Sequence, residues 1–356
     1  MSIRSITPLE QKQPSPSISV EVPLKVGVVI VNSGTPTQPT FVGVWKFLKA
    51  LLSDPRVVEI PRPLWWPILN LVILPLRTPR MVKAYKAIWD NGDSPLRLIT
   101  AQQAEKLQQK LTRQFPANSP KVVYAMNYCG PVLDDVVQRL EREGYGYIIV
   151  LPLYPQYCAA VTGSVYDSVA DIIRRRRDIP HLHVIKQYYQ SPHYLDALAN
   201  KVQAHWHQHG KAEKLLLSFH SLPQRYIDLG DPYYHQCKQT AECLAQRLQL
   251  ADTQWQLSFQ SRFITGKWVQ PYTSVTLAEW GQNGVKSVDV FCPAFAADCL
   301  ETVEEIDKEN RERFLSAGGK TYHMIPCLNA DDDHIVMMGM VVEQYMPRVA
   351  MQADPD

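Results

Sequence analysis

The feature that most constrains this chain is a recurring alternation. Short runs that are apolar on both faces are each followed by a longer amphipathic stretch. The short runs fall at 25–32, 121–127, 147–152, 183–187, 214–220, 256–260, 286–291 and 321–326. Helical periodicity covers 102–115, 133–143, 165–175, 194–209, 234–248, 274–280 and 298–315. A strand that is apolar on both faces must be covered on both, which fits a parallel sheet wrapped by helices. The pattern occurs twice, and 356 residues leave room for about two domains. The expected fold is α/β, with two similar doubly wound domains. Each has a mostly parallel four-stranded sheet flanked by helices, and a cleft lies between the two. The expected boundaries are a disordered tail at 1–23, an N-terminal domain at 24–190 and a C-terminal domain at 191–350. Ser191-Pro192 marks the seam. In such folds ligands collect beyond the carboxyl ends of strands, so residues there carry the most weight.

The charge balance narrows the function. Thirty-seven basic and 35 acidic residues leave a net charge of +2, which excludes a general electrostatic nucleic-acid binder. Seven cysteines without a C-x-x-C pair argue against a disulfide framework and point to a reducing, cytoplasmic compartment. The polar start of the chain has no apolar core of the signal-peptide kind. The most apolar segment, 64–76, is too short for the roughly 20 residues of a spanning helix, and Asn70, Pro67 and Pro75 interrupt it. Periodicity alone favours a buried or interdomain helix there. Adjacent Trp65 and Trp66 also suit an exposed apolar lip that touches a bilayer or guides an apolar ligand.

Chemistry-bearing residues sit where the strands end. The first strand runs into Ser33-Gly34-Thr35, which is neither G-x-G-x-x-G nor a P-loop, so no nucleotide is expected. His220 closes the run Leu215-Leu216-Leu217-Ser218-Phe219 and precedes Ser221-Leu222-Pro223, where α/β sheets place reactive groups. Asp298, Glu301 and Glu305 follow another strand end at spacings that put their carboxylates on one α-helical face. Two accounts of this ladder stand side by side. One is a capping box with Asp298 at N-cap and Glu301 at N3. The other is a set of carboxylates opposed to His220, a donor set suited to a divalent metal such as Fe(II). His205, His207 and His209 are expected in solvent at a helix C-terminus, and Asp331-Asp332-Asp333-His334 as an acidic helix start.

At these residues the chain resembles the ferrochelatase family, which inserts ferrous iron into a porphyrin in haem synthesis. The resemblance rests on Ser218-Phe219-His220-Ser221-Leu222-Pro223, Gly230-Asp231-Pro232-Tyr233 and Phe259-Gln260-Ser261-Arg262-Phe263. It continues in Gln270-Pro271-Tyr272-Thr273 and Asp298-Cys299-Leu300-Glu301-Thr302. In the first half it covers Val31-Asn32-Ser33-Gly34-Thr35-Pro36, Ser53-Asp54-Pro55-Arg56, Gly92-Asp93-Ser94-Pro95 and Tyr154-Pro155-Gln156-Tyr157. It spans about 24 to 345. The resemblance implies a lyase of the metal-chelatase kind acting on protoporphyrin IX, with Fe(II) as substrate. His220 and Glu301 would bind the iron, while Asp298 and Glu305 would conduct metal in or protons out. Tyr154, Tyr128 and Ser33, Gly34 and Thr35 would line the macrocycle. It also implies weak peripheral membrane contact through 64–76, with the protein in the cytoplasm and no nucleic acid as partner.

Three departures from the family pattern stand out. Asn127 replaces the arginine that would pair with a propionate, so carboxylate recognition at this substrate-binding position is altered or moved. Ser33 replaces a larger apolar residue. Ala159 stands at the internal cysteine of cluster-bearing members and no cysteine follows Cys327, so no 2Fe–2S cluster is expected. Two alternatives remain: a chelatase for another porphyrin, of the coproporphyrin type, and a non-catalytic porphyrin-binding paralogue.

Overall fold

A computed structural model of the chain describes residues 24–262 and 266–347; the expected 1–23 tail and Phe263 lie outside the described residues. Its strands are β1 (Val26–Gly34), β2 (Lys121–Tyr128), β3 (Tyr147–Pro152), β4 (His181–Val184), β5 (Lys214–His220), β6 (Trp255–Gln260), β7 (Ser287–Phe291) and β8 (Thr321–Ile325). They form two four-stranded sheets, ordered β2-β1-β3-β4 and β6-β5-β7-β8, with every pairing parallel. Both orders change direction beside their first strand, between β1 and β3 and between β5 and β7. Such switch points open a crevice at the carboxyl ends of the two strands.

Helices of the first half are α1 (Phe41–Leu52), α2 (Arg62–Ile68), α3 (Leu74–Ile88), α4 (Pro95–Gln114), α5 (Leu133–Arg142) and α6 (Ser164–Arg175). Those of the second are α7 (Pro192–His209), α8 (Gln224–Asp228), α9 (Tyr233–Arg247), α10 (Thr273–Gln282), α11 (Arg311–Ser316) and α12 (Asp332–Glu343). The largest core does not stop at the seam. Val28, Ile30 and Leu151 of the first sheet and Leu217, Phe219 and Phe291 of the second belong to one buried cluster. Leu107 of α4, Tyr194 and Leu198 of α7, Leu244 of α9 and Met338 of α12 complete it. Side chains interlocked at crystal-like density fix the two sheets as one solid.

Several elements differ from what periodicity predicts. α4 begins seven residues before the expected 102, because Ser94 caps it through Arg97 N and Pro95 occupies its first turn. The fourth strand lies two to three residues earlier than 183–187, where it can pair with Tyr147–Val150 before β3 ends. The helix expected at 298–315 is a π-helix over Glu301–Asn310 that passes into α11. π-Turns also occupy Leu69–Ile73 and Ala159–Gly163.

The apolar 64–76 segment is helical, with α2, a π-turn and α3 in succession. Its prolines stand near turn starts or inside the run, and no helix among the described residues is long and apolar enough to cross a membrane. It is not a wholly buried helix. Trp65, Leu69 and Leu74 face inward, and the indole of Trp65 donates to the Leu52 carbonyl at 2.7 Å. Leu71 and Leu76, 76% and 73% exposed, point away with Leu64, Trp66, Ile68 and Val72.

At the start of α12, His334 is buried, and its Nδ1–H donates to the Asn329 carbonyl at 2.6 Å. Burial lowers its pKa to about 4. The folded ring therefore stays neutral while the unfolded chain takes up a proton near its ordinary value of about 6.5. Its contribution is complete above that pH and is lost as pH falls toward 4. His334→Asn, which keeps a donor, is expected to show a smaller fall in melting temperature between pH 7 and pH 4.5 than the parent. Identical pH slopes in thermal melts would exclude the effect.

Candidate active site

The second sheet's switch point carries the titratable groups. His220 ends β5, and its Nδ1 lies 2.7 Å from the carbonyl of Ser221. A carbonyl can only accept, so Nδ1 carries the hydrogen, and in the neutral ring the lone pair sits on Nε2. Across the crevice, the chain leaves β7 and reaches the π-helix, whose first residue is Glu301. Gln260 at the end of β6 ties the two sides. Its Oε1 accepts from Ser218 Oγ at 2.7 Å, and its Nε2 donates to the Glu301 carbonyl at 3.3 Å. Glu305 accepts from Ser261 N at 2.8 Å and from the Ser261 hydroxyl. Burial raises its carboxyl above the ordinary range, the Ser261 donors and the nearby His220 oppose this, and the charge of Glu301 adds to it. Glu305 is therefore close enough to both His220 and Glu301 to feel their charges.

Asp298 is not the first member of that ladder. It precedes the π-helix, and its carboxylate is taken up by the fold. Oδ2 accepts from Asn329 Nδ2 at 2.6 Å, while Oδ1 accepts from Cys327 N and Thr302 Oγ1, each at 3.2 Å. The capping-box account fails as well, because the residue that caps the π-helix is Leu300. Asp298 is a fastener between the loops that follow β7 and β8.

The first sheet supplies the opposite wall. Gly34 pairs with Tyr128, and at φ +111° a Cβ there would sit 1.9 Å from the Tyr128 carbonyl, so only glycine fits. Ser33, near the end of β1, lies beside the Tyr154 phenol, which follows β3 and also feels the charge of Glu301. Thr35 is buried against Tyr85 of α3. Burial pushes the Tyr85 phenol well up, and the Glu301 charge pushes it further. Sequence reasoning passed over Tyr85, because a helix set between the lip and the site carries no motif. Ser33, Thr35, Tyr85 and Tyr154 are thereby gathered around Glu301.

Two expected lining residues turn elsewhere. The Tyr128 hydroxyl donates to Asp54 Oδ2 at 2.7 Å and lies 3.1 Å from Ser164 Oγ, with its ring buried beneath the lip. The Asn127 amide donates to Ser164 Oγ at 2.7 Å and accepts from Ser168 Oγ at 3.2 Å. Its polar atoms are held by α6, so it is a tie within the first half and not a free carboxylate receptor. Asp54 and Ser164, which complete this network, gave no sequence signal beyond the matched motif around Asp54.

Against known proteins, residues 25–346 match the family model described as ferrochelatase. A ferrochelatase of Psychrobacter cryohalolentis is 48% identical over 318 residues, covering 89% of this chain and 94% of the relative. One of Aeromonas hydrophila is 48% identical over 314 residues (88% and 96%), and ferrochelatase 1 of Shewanella oneidensis is 49% identical over 318 (89% and 95%). Among solved structures, SirB from Bacillus subtilis with Fe3+ aligns at TM-score 0.52 and 11% identity, covering 93% of this chain and all of that one. CbiX, described as the terminal enzyme of sirohaem biosynthesis in denitrifying bacteria, aligns at 0.50 and 10% (91% and 100%). These two likenesses concern the fold.

Asp298 and Glu301 separate by experiment. Asp298→Asn sets an amide donor against three donors, so it should lower the melting temperature by a few degrees, on the scale of about 1–3 kcal/mol for an unsatisfied buried group. Glu301→Gln should melt like the parent. Differential scanning calorimetry of both decides the matter, and an unchanged melt for Asp298→Asn would remove its fastening role.

Proposed function

The chain belongs to the ferrochelatase family, and from that premise we propose that it inserts Fe(II) into protoporphyrin IX to give protohaem, releasing two protons. One arrangement supports this most: Glu305, beside the carboxyl end of β5, feels the charges of both His220 and Glu301, and the Nε2 lone pair of His220 is left free by the Nδ1–H bond to Ser221. Metallation must take two pyrrole protons and strip water from the iron. His220 accepts a proton or ligates through Nε2, and Glu301 replaces water on the iron. Glu305, whose carboxyl is raised above the ordinary range, is suited to carry the released proton outward. Tyr154, Tyr85, Ser33, Gly34 and Thr35 form the wall against which the ring lies. Asp298 and Gln260 act by holding the π-helix in place. Iron enters as substrate. The proposed reaction includes no 2Fe–2S cluster, given Ala159, and no nucleotide.

His220→Ala is expected to reduce anaerobic insertion of Fe(II) into protoporphyrin IX by about two to four orders of magnitude, with a near-parent melting temperature. Glu301→Gln should lose at least about one to two orders. Parent-like turnover in both would sink the assignment, and parent turnover with coproporphyrin alone would change the substrate.

The exposed apolar face of 64–76 supports a further part of the proposal, that the protein sits in the cytoplasm with peripheral contact to a membrane. Leu71, Leu76 and Trp66 can rest in the interface without spanning its ~30 Å core. Trp65 is excluded from this role because it is buried. Leu71→Glu combined with Leu76→Glu should abolish co-sedimentation with liposomes at an unchanged melting temperature. Trp65→Ser should instead destabilise the fold. Equal sedimentation of the double variant and the parent would refute the contact.

A further inference from the structure

Asp289 stands in the middle of β7, within Ser287-Val288-Asp289-Val290-Phe291, and its side chain is 1% exposed. A carboxylate inside a buried parallel strand is costly unless it is paired. Its neighbours across the sheet are Leu215 and His323. Oδ2 accepts from the Trp206 indole at 2.7 Å and from Ala212 N at 3.2 Å. Oδ1 faces two imidazoles, with His323 Nδ1 at 3.1 Å and His205 Nε2 at 3.6 Å.

Periodicity puts His205, His207 and His209 in solvent, and the structure corrects this for His205. Its side chain is only 9% exposed, and its Nε2 has no hydrogen-bond partner among the described residues. A buried ring nitrogen without a partner calls for an explanation. Burial holds the ring below the ordinary histidine range, with Asp289 opposing this and His209 and His323 adding to it. His209, one turn on, has its ring centroid 4.6 Å from that of His205 and 5.6 Å from that of His323.

We propose that His205, Asp289 and His323 form a binding site for a divalent transition cation of the zinc type, separate from the His220 pocket. Their donor atoms all lie within 4.8 Å of one another. Bonds of about 2.0–2.1 Å in a tetrahedron set donors roughly 3.4 Å apart. The observed 3.1 and 3.6 Å bracket that spacing. His205 ligates through Nε2. His323 ligates through Nδ1, which leaves its one ring proton on Nε2. The Trp206 and Ala212 donors fix the carboxylate, the kind of support that orients metal ligands. His209 or a water completes the shell from the solvent side. Two nitrogens and one oxygen select Zn(II), Co(II), Ni(II) or Fe(II) over Mg(II) and Ca(II). His220 lies five residues further along β5 than Leu215, so the two sites are about 16 Å apart along the strand direction.

Co(II) and Zn(II) are the probes, used on the full chain carrying His220→Ala so that the active-site ligand is removed. This protein should bind one equivalent of Co(II) and develop the visible absorption of a four-coordinate site. Zn(II) should raise its melting temperature. Adding His323→Gln or His205→Gln should weaken Co(II) binding at least tenfold and remove the Zn(II) shift. His323 is half-buried on the edge strand, so its replacement keeps the fold if that of His205 does not. Absence of Co(II) binding in the His220→Ala chain, or equal binding with and without His323, would overturn the site. In the His220-intact chain, His323→Gln should leave porphyrin metallation unchanged.

Discussion

Three donors converge on the Asp298 carboxylate, and the position of the π-helix follows from them. Asn329 reciprocates, its Oδ1 accepting from Asp298 N at 2.8 Å. The Asn329 carbonyl in turn accepts from His334 Nδ1 and, at 2.9 Å, from Gln103 Nε2 of α4. The same Gln103 amide reaches the Ala296 carbonyl at 2.7 Å. One polar node thus joins the loops after β7 and β8, the start of α12 and a helix of the first half. Hydrogen bonds to a charged group are worth about 1.5–3 kcal/mol each, and more is lost when one member is left buried and unpaired. Glu301, three residues on, inherits its place from this node.

The second constraint is topological. Identical strand orders put a crevice at the same end of each sheet, and the shared core turns those crevices toward a common space. Leu300 and Val303 of the second half pack on the cluster of Trp65, Leu69, Leu74 and Tyr85. The floor under the lip is therefore built from both halves. A close-packed interior resists deformation, so this floor is rigid.

The strands were legible because strands buried on both faces are written as continuous apolar runs, and seven of the eight fall within two residues of expectation at each end. His220 was legible for the same reason, as the polar residue that stops such a run. The π-helix was not. Its hydrogen bonds differ from those of an α-helix by one residue, a shift that apolar periodicity over ten residues does not register. Asp298 aligns with Glu301 and Glu305 on an α-helical wheel, but it lies before the helix starts and its carboxylate is taken up by Asn329, Cys327 and Thr302. The partners of Tyr128 and Asn127 were not legible, because Ser164 and Asp54, which hold them, are distant in sequence. His205 was misread because helix position predicts exposure only where nothing packs on that face. Here β8 does.

The lip shows how little a composition signal decides by itself. Two adjacent tryptophans suggest an interface, yet neighbouring helical residues point about 100° apart, so one is buried and the other exposed. What matters is the division of one helical run into two faces. Its outer face is aliphatic and open, while its inner face, through Trp65, Leu69 and Tyr85, reaches the residues around Glu301. If the outer face rests in a bilayer, an apolar ring could pass from lipid to the carboxylate wall along a single continuous element. The apolar surface buried in either place is of the same kind, so the hydrophobic driving force for leaving the lipid is small. Discrimination then falls to the polar groups of the cleft, where Asn127 no longer offers a charge. The Asn127 amide is engaged by Ser164 and Ser168 of α6, so this end of β2 presents hydrogen-bonded neutral groups to the cleft side of the sheet.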